Sequence, residues 1–318
     1  MSARFTIDTS GPFALAAAAE FLGGFTPAAG SAEAAGDGLV LAFRLDGTGE
    51  PAAVVLRQEG ARLHGEVAGT AAADAARVQV ARMLGLDQDG AAWAEVGRRD
   101  PVVGALQARW PGFRAVAFPS PYEAAAWGIL AQRVSMTQAA GLKKKLAAAH
   151  GDAVRLADGR AIAVFPAPAQ LLAVASFPGL PAEKLARLHA VADAALGGAL
   201  DAEALRALPE AEALARLRAI RGVGEWTAGH ILYRGAAVAD ALATNEPRVL
   251  RGAAEAYGLK QTPSVAELEA LAAPWRPFRM WVCILLVRAL RGTASWHGPE
   301  RRGARGSSGK ARGRPRSR

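Results

Sequence analysis

Apolar and polar residues alternate in short runs over the first 70 positions, and glycine-containing turns separate these runs. A period of two is typical of strands that bury one face. We therefore predict strands at 4–8, 38–46, 52–58 and 63–67. A helix is predicted at 12–22, with Ser10 as its N-terminal cap. An antiparallel sheet with this helix on one face is the simplest packing.

From Thr70 onward the apolar residues recur at helical spacing, and Pro and Gly mark the ends of nearly every segment. Helices are predicted at 71–84, 100–109, 121–131, 137–150, 167–175, 182–195, 201–208, 211–220, 225–233, 248–257, 265–271 and 277–290. The pattern predicts a mainly α protein, in which an all-helical body of about ten helices follows a small N-terminal α+β unit.

The composition changes abruptly after His297, where the sequence consists mostly of Gly, Ser, Arg and Pro. Such a segment cannot form a core, so we predict a disordered basic tail. The predicted domains are a sheet domain with connecting helices at 1–115, a helical core at 116–297 and the tail at 298–318.

Positive charge is concentrated toward the end of the chain. Residues 1–115 carry a net charge of −3, residues 116–298 carry +5 and residues 299–318 carry +7, within a total of +9. This asymmetry suggests a polyanionic partner. The alternative is a tail that only aids solubility.

The remaining composition excludes several classes of protein. A hydrophobic content of 51% excludes global disorder. The one cysteine, Cys283, excludes a disulfide framework and a cysteine-ligated metal centre, and the five scattered histidines have no metal-ligand spacing. We expect no cofactor and no metal. Residues 1–8 do not resemble a signal peptide, and the apolar run at 280–287 is too short to span a bilayer. We therefore expect a cytoplasmic, nucleoid-associated protein with no membrane partner.

One segment, LRAIRGVGEWTA at 217–228, joins two predicted helices by a very short glycine turn. Gly222 and Gly224 provide backbone freedom and expose the amides that begin the second helix. Such amides are suited to binding an anion. Val223 between them is predicted to pack into the core.

Two other glycine-loop motifs do not fit this segment. A dinucleotide-binding loop follows a strand, whereas a helix precedes this turn, and no Lys-Ser or Lys-Thr pair completes a phosphate-binding P-loop. An ordinary helix corner with glycine caps remains the alternative.

The segment resembles the DNA-binding hairpin of the helix-hairpin-helix DNA glycosylases. Three further stretches match that family in the same order: PYE…ILAQRVS at 121–135, FPGL…K at 177–184 and WRPFR at 275–279. The N-terminal unit is similar to the extra sheet domain of the inducible bacterial alkylpurine glycosylases. The resemblance covers residues from about 5 to 292.

The resemblance implies a monomeric DNA glycosylase of base excision repair whose partner is double-stranded DNA with damaged bases. Such an enzyme flips an alkylated purine, such as 3-methyladenine, and hydrolyses its N-glycosidic bond. Bifunctional members place a nucleophilic lysine two residues after the second glycine, and Trp226 occupies that position here. No lyase activity is therefore expected.

The resemblance also assigns DNA-binding roles in the hairpin. The amides of Gly222, Val223, Gly224 and Thr227 are expected to bind backbone phosphate downstream of the lesion. Arg221 replaces the proline that is usual before the first glycine. This arginine either adds a phosphate contact or is simply solvated.

A second DNA-binding element is expected in the loop that contains Gln132, Arg133 and Ser135, which matches the wedge that fills the gap left by the flipped base. Arg133 stands where leucine or glutamine is common; the alternative is a surface arginine. In the tail, Arg312 and Arg314 lie in a string that resembles an AT-hook, which inserts into the minor groove.

Three rings match the family's base pocket: Phe21, Trp226 and His230. Stacking on electron-rich rings would favour a cationic alkylated base. Core packing is the alternative for each ring. Val287 stands where another tryptophan is usual, which predicts a wider or more weakly stacking pocket.

The family's catalytic aspartate aligns with Glu246, which keeps a carboxylate on a longer side chain. Its expected role is to stabilise the oxocarbenium-like sugar or to orient water. Asp240 is the second candidate. The alternative function is a non-catalytic damaged-DNA-binding protein, in which the replacement of Asp by Glu marks lost chemistry.

Overall fold

The computed structural model describes residues 3–69 and 71–291. Within these residues there are seven strands: β1 (Ala3–Asp8), β2 (Ala32–Ala35), β3 (Gly38–Arg44), β4 (Pro51–Glu59), β5 (Arg62–Ala68), β6 (Asp152–Arg155) and β7 (Ala161–Val164). The same residues form fourteen α-helices: α1 (Leu15–Gly23), α2 (Ala73–Met83), α3 (Gly90–Arg99), α4 (Pro101–Arg109), α5 (Pro121–Leu130), α6 (Met136–His150), α7 (Pro168–Leu172), α8 (Ala182–Leu196), α9 (Ala202–Ala207), α10 (Glu210–Arg218), α11 (Glu225–His230), α12 (Pro247–Ala256), α13 (Val265–Leu271) and α14 (Arg279–Arg291).

The mainly α fold class is confirmed, and each helix that was predicted after residue 70 is present, most of them with ends shifted by a few residues. Ten of the described helices, α5 to α14, lie beyond residue 115. The predicted tail, with Arg312 and Arg314, lies outside the described residues.

The N-terminal sheet is antiparallel throughout, in the order β1-β5-β4-β3-β2 within the described residues. Short turns join β3, β4 and β5, so neighbours in sequence pair directly, with Leu39 opposite Leu56. Strand β1 pairs with β5 at the far edge and places Phe5 opposite Gly65. A Cβ at Gly65 would lie 2.2 Å from the Phe5 ring, so only glycine leaves space for this ring.

Both faces of the middle of the sheet are covered. Helices α1 and α2 pack on one face with the main core. The β6–β7 hairpin covers the other, where Val154 and Val164 pack against Val40 and Ala53. All seven residues of β3 are consequently buried. The prediction that the chain is helical throughout after residue 70 was wrong here, because a hairpin of two four-residue strands lies within the body.

The predicted start of the first helix was also wrong. Helix α1 begins at Leu15 after Ala14, which has no capping side chain. Ser10 does not cap it: its hydroxyl accepts a hydrogen bond from the Gly90 amide at 3.2 Å and so contacts the start of α3. Neither α3 nor the short edge strand β2 was predicted.

Helix α5 is the centre of the body, and all ten of its residues are buried. Ser120 caps it by accepting a hydrogen bond from the Glu123 amide at 3.1 Å. Glu123 pairs with Lys143 of α6 at 3.1 Å, also buried. Helices α12 and α14 approach closely at Gly252, where a Cβ would lie 2.9 Å from the Leu286 carbonyl oxygen. These contacts hold the helices that surround the cavity described below.

No helix among the described residues combines the length and the apolar character that a bilayer crossing requires. No group of three or more His, Cys, Asp and Glu side chains in residues 3–69 and 71–291 could hold a metal ion.

Candidate DNA interface and active site

A cavity of about 860 Å³ opens between α1, the α5–α6 loop, α11, the start of α12, and α14. The three rings and the carboxylate that were predicted for the pocket line it together: Phe21, Trp226, His230 and Glu246. They come from three widely separated stretches of the chain. Val287 of α14 also lines the cavity, at the position where a tryptophan is usual in the resembled family.

Glu246 is the N-cap residue of α12 and is largely buried, with 14% of its side chain exposed. Its Oε1 accepts hydrogen bonds from Arg248 Nε at 2.7 Å and from the Arg248 amide at 3.1 Å. Its Oε2 accepts from Arg248 Nη2 at 2.9 Å and from Trp226 Nε1 at 3.1 Å. The carboxylate is thus fixed by four donors at the cavity wall.

These donors decide the protonation state of Glu246. Burial alone would raise the pKa of this carboxyl, but the hydrogen bonds and charge of Arg248, with the hydrogen bond from Trp226, outweigh it. The net result is a pKa of Glu246 below its ordinary value. The group is therefore an anion at neutral pH.

Trp226 lies at the rim of the cavity with 39% of its surface exposed. One face of its indole stacks on His230, with the ring centroids 5.1 Å apart and the planes 9° from parallel. His230 in turn meets the Phe118 ring edge-on at 4.9 Å. Only one face of the Trp226 indole is therefore open to a planar ligand, because His230 covers the other.

His230 is a neutral supporting ring. Burial, together with the nearby charges of Arg234 and Arg248, lowers its pKa to about 3. Its Nε2 is buried and has no hydrogen-bond partner within the described residues.

Phe21 stacks on Phe25, with 5.4 Å between ring centroids and 24° between planes, and both rings line the cavity. Phe25 was not predicted. It lies beyond the end of α1 with extended backbone (φ −94°, ψ 93°), so no helical spacing from Phe21 indicated it. Arg234 lies over the other ring of this pair, with its guanidinium carbon 5.2 Å from the Phe25 centroid.

Asp240, the second candidate for catalysis, is engaged elsewhere. It pairs with Arg279 Nε at 2.7 Å and with Arg276 Nη1 at 3.0 Å, at the start of α14. Glu246 is the only carboxylate among the described residues that line the cavity. The geometry therefore favours Glu246 over Asp240 as the acidic group of the site.

The predicted hairpin joins α10 to α11. Its two glycines differ in backbone conformation and in the space around a Cβ atom. Gly222 has φ +88°, and a Cβ there would lie 2.7 Å from the Arg187 side chain, so glycine is required. Gly224 has φ −89° and ψ −176°, which any residue adopts, and its Cβ would meet nothing within 4 Å. The expectation that Gly224 needs backbone freedom was wrong; only its bare amide distinguishes it.

The two other hairpin residues whose amides were expected to bind phosphate differ from each other. Val223 is buried in the core, as predicted, but its amide donates to the Ile220 carbonyl at 3.0 Å and is not free for a phosphate. The Thr227 side chain is buried against α5, where its methyl group would lie 2.7 Å from a Cβ at Gly128. Within the described residues, the amides of Gly222 and Gly224 donate to no protein acceptor.

The α5–α6 loop is tied to the hairpin by Gln132. Its Nε2 donates to the Gly222 carbonyl at 3.0 Å, and its Oε1 accepts from Arg187 Nη1 at 2.7 Å. Lys184 Nζ donates to the Gln132 carbonyl at 2.9 Å. Gln132 was expected to contact DNA, but its side-chain amide joins the two loops instead. Arg187 was not singled out by the sequence, because its role appears only when α8 packs beneath both loops.

Arg133, beside it, is exposed and has φ +58°. A non-glycine residue in this left-handed region costs about 1–2 kcal/mol, and such strain is concentrated at functional sites. Ser135 caps α6 by accepting from the Gln138 amide at 3.2 Å, and the Gln138 side chain accepts from the Ser135 amide at 3.0 Å. The loop thus presents Arg133 outward, while Ser135 serves the fold.

Known proteins resemble this chain in sequence. No family model matches it. It is 26% identical over 210 residues to the DNA-3-methyladenine glycosylase of Bacillus subtilis, covering 64% of this chain and 69% of the relative. It is 28% identical over 197 residues to DNA-3-methyladenine glycosylase 2 of Escherichia coli, covering 57% and 62%. It is 32% identical over 206 residues to a probable bifunctional transcriptional activator/DNA repair enzyme of Mycobacterium tuberculosis, covering 63% of this chain and 40% of the relative.

The similarity to solved structures covers more of the chain than the similarity in sequence does. The 3-methyladenine DNA-glycosylase of Archaeoglobus fulgidus has a TM-score of 0.75 and 21% identity, over 91% of this chain and 98% of that one. The 8-oxoguanine glycosylase/lyase of Clostridium acetobutylicum, in complex with DNA, has a TM-score of 0.58 and 14% identity, over 83% and 98%. The chain is thus similar in sequence to DNA-3-methyladenine glycosylases and shares the fold of the solved glycosylases.

This relationship confirms the resemblance that four short motifs indicated. The roles of the individual site residues and the domain bounds at 115 and 297 stay predictions. The hairpin, the Arg133 loop and the Glu246 cavity lie close together, because Gln132 joins the loop to the hairpin and Trp226 joins the hairpin helix to Glu246.

Proposed function

We propose that this protein is a monofunctional DNA glycosylase of base excision repair that acts on alkylated purines such as 3-methyladenine. The observation that carries the proposal is the buried, ionised Glu246 at the wall of a cavity of about 860 Å³, beside the exposed ring of Trp226. The names of its relatives support the same substrate class. A cavity of this volume has room for an extruded base.

The chemistry follows from the charge of the base. Alkylation at N3 or N7 makes the purine a cation, so its bond to C1′ breaks readily, and the bonding electrons leave with the base. Positive charge then develops on the sugar, and the Glu246 carboxylate stabilises it electrostatically. Water adds to C1′ and loses a proton, which leaves an abasic site.

The protein is proposed to lack lyase activity. Schiff-base chemistry needs an amine near C1′. No lysine is among the described residues that line the cavity, and the corresponding position is Trp226. Borohydride reduction during turnover should therefore trap no covalent complex with DNA.

The DNA contacts are proposed from the surfaces around the cavity. The amides of Gly222 and Gly224 bind a backbone phosphate, and the strained, exposed Arg133 enters the gap left by the flipped base. The double-stranded DNA is bound by a single copy of the chain.

One observation favours a second candidate function, a non-catalytic damaged-DNA-binding protein. Arg248 pairs directly with Glu246, so the net charge of the pair is close to zero and its effect on a cationic sugar is reduced.

A base-release assay separates the two functions. The full chain is incubated with a duplex methylated at purines, and released bases are separated by chromatography. A glycosylase releases 3-methyladenine or 7-methylguanine in proportion to time and enzyme. A chain that binds abasic-site DNA tightly but releases no base supports the binding protein and contradicts the proposed function.

A further inference from the structure

Arg248 engages both oxygens of Glu246 from only two residues away in the sequence. Its Nε and Nη2 contact Oε1 and Oε2 at 2.7 and 2.9 Å, and its amide adds a third bond to Oε1 at 3.1 Å. This forked arrangement fixes both the position and the plane of a carboxylate. Pro247 lies between the two residues and restricts the backbone that carries the pair.

The fork matters because of the length of the Glu246 side chain. A glutamate has one more rotatable bond than the aspartate that the resembled family places here, so a free glutamate would sample more positions. The cavity wall otherwise offers Glu246 one side-chain bond, from Trp226 at 3.1 Å. Arg248 provides the restraint that the shorter aspartate would not need.

We propose that Arg248 is a positioning residue, which holds the Glu246 carboxylate in the orientation that base excision requires. This inference rests on the proposed glycosylase function. Arg248 acts through Glu246 and is not itself assigned to the reacting sugar or base.

Other charged or titratable groups line the same cavity and act on Glu246 at longer range. Arg251 lies on α12, His230 and Arg234 lie on α11 and the turn after it, and Cys283 and Arg288 lie on α14. His230 is neutral because its pKa is lowered to about 3, and burial raises the pKa of Cys283 to about 12, so that thiol is also neutral. Arg251 is on the same helix as Arg248 and exposed, which makes it the matched control.

The first test uses the free protein and does not depend on activity. The chain is labelled with ¹⁵N-tryptophan, and the indole signal of Trp226 is assigned through a Trp226→Phe variant. This signal reports the ionisation of Glu246, because the indole N–H donates to Oε2. Burial raises the pKa of this carboxyl and Arg248 lowers it, so Arg248→Met should move the titration midpoint upward by about one pH unit or more. Arg251→Met should move it far less.

The second test measures single-turnover excision from methylated DNA. Arg248→Met should reduce the rate at neutral pH about tenfold or more, with little change in affinity for abasic-site DNA. Excision needs the ionised carboxylate, so the acid limb of its pH profile should move to higher pH. Arg248→Lys keeps the positive charge but cannot contact both oxygens of Glu246 in the same way. Compared with Arg248→Met, it should restore the titration midpoint of Glu246 more fully than the excision rate. Circular dichroism and abasic-site binding confirm that each variant is folded.

Each outcome decides the inference. An unchanged midpoint and an unchanged rate overturn it, and a faster Arg248→Met enzyme overturns it by showing that Arg248 masks Glu246. If the unsubstituted chain releases no base, the proposed function fails, whereas the shift in the indole titration still tests the restraint on Glu246. If that chain is active and the Arg248 variants match it in titration midpoint and excision rate, the inference fails while the proposed function stands.

Discussion

The hairpin at 219–224 and the cavity wall around Glu246 are neighbours that are built in opposite ways. The hairpin presents backbone: Gly222 is required by its φ of +88°, and the amides of Gly222 and Gly224 have no acceptor among the described residues. The cavity wall presents side chains, fixed by Arg248 and Trp226. A backbone site should tolerate changes in nearby side chains but not in its glycines, whereas a side-chain site depends on single functional groups.

The strongest test of this comparison is Glu246→Gln, which removes the charge from the cavity wall and keeps the side-chain length. Base release should fall by about two orders of magnitude or more, the scale of losing a key electrostatic group. Affinity for abasic-site DNA should stay nearly unchanged, because the hairpin is untouched. Single-turnover excision and a binding titration measure the two quantities.

Glu246→Asp is the matched control, since it keeps the charge and loses one methylene. It should keep part of the activity that the glutamine variant loses. Full activity in Glu246→Gln would contradict the assignment, and Asp240, already paired with Arg276 and Arg279, would be the next carboxylate to test.

The two sites also differ in how far the sequence could predict them. The hairpin is a local motif, so GVG between two helices was sufficient to place the turn and to bury Val223. The difference between the two glycines was not predictable, because it depends on Arg187 packing beneath Gly222 from α8. Similarly, Val223 donates its amide to Ile220 within the turn, which the motif does not reveal.

The cavity wall was predicted only through the family resemblance, since its residues are distant in sequence. Phe21, Trp226, His230 and Glu246 do meet, but the fork from Arg248 was missed. Arg248 stands at the start of α12, where a charged side chain is usually solvated. Its ion pair with Glu246 matters because Glu246 is largely buried at the cavity wall. Local patterns do not show burial.

The fold shows the same limit. Strong helical periodicity predicted the helices of the body, whereas the β6–β7 hairpin was missed because each strand has only four residues. Its apolar side chains, such as Val154 and Val164, pack on the outer face of the sheet, whose strands β2 to β5 lie more than 80 residues earlier in the chain. This pairing is a tertiary contact, and no local period indicates it.

A comparison of Gly222→Ala with Gly224→Ala tests the hairpin. Gly222→Ala should lower the free energy of unfolding by about 1–2 kcal/mol, because alanine is strained at φ +88° and its Cβ meets Arg187. Gly224→Ala should change stability by less than about 0.5 kcal/mol, because its backbone is extended and its Cβ meets nothing. Denaturant unfolding measures both values.

The same pair separates stability from DNA binding. A methyl group at Gly224 should hinder a phosphate from reaching the bare amide and weaken affinity for all DNA sequences alike by about 1 kcal/mol, or roughly fivefold. Unchanged binding in a fully folded Gly224→Ala protein would remove the phosphate-binding role from this residue. Base release at saturating enzyme should be close to normal, because the Glu246 wall is intact.

The smallest expected effect on chemistry comes from removing the basic tail at 298–318. Residues 299–318 carry +7 of the net charge of +9, so the rest of the chain carries only +2. Each Lys or Arg that neutralises a phosphate releases counterions and steepens the salt dependence of binding by about 0.9 per contact. Truncation after His297 should therefore flatten the salt slope on undamaged duplex by several units and weaken binding at low salt. Single-turnover excision at saturating enzyme should barely change, because Glu246, Trp226 and the hairpin all remain. Identical slopes for the full-length and truncated chains would mean that the tail does not touch DNA and only aids solubility.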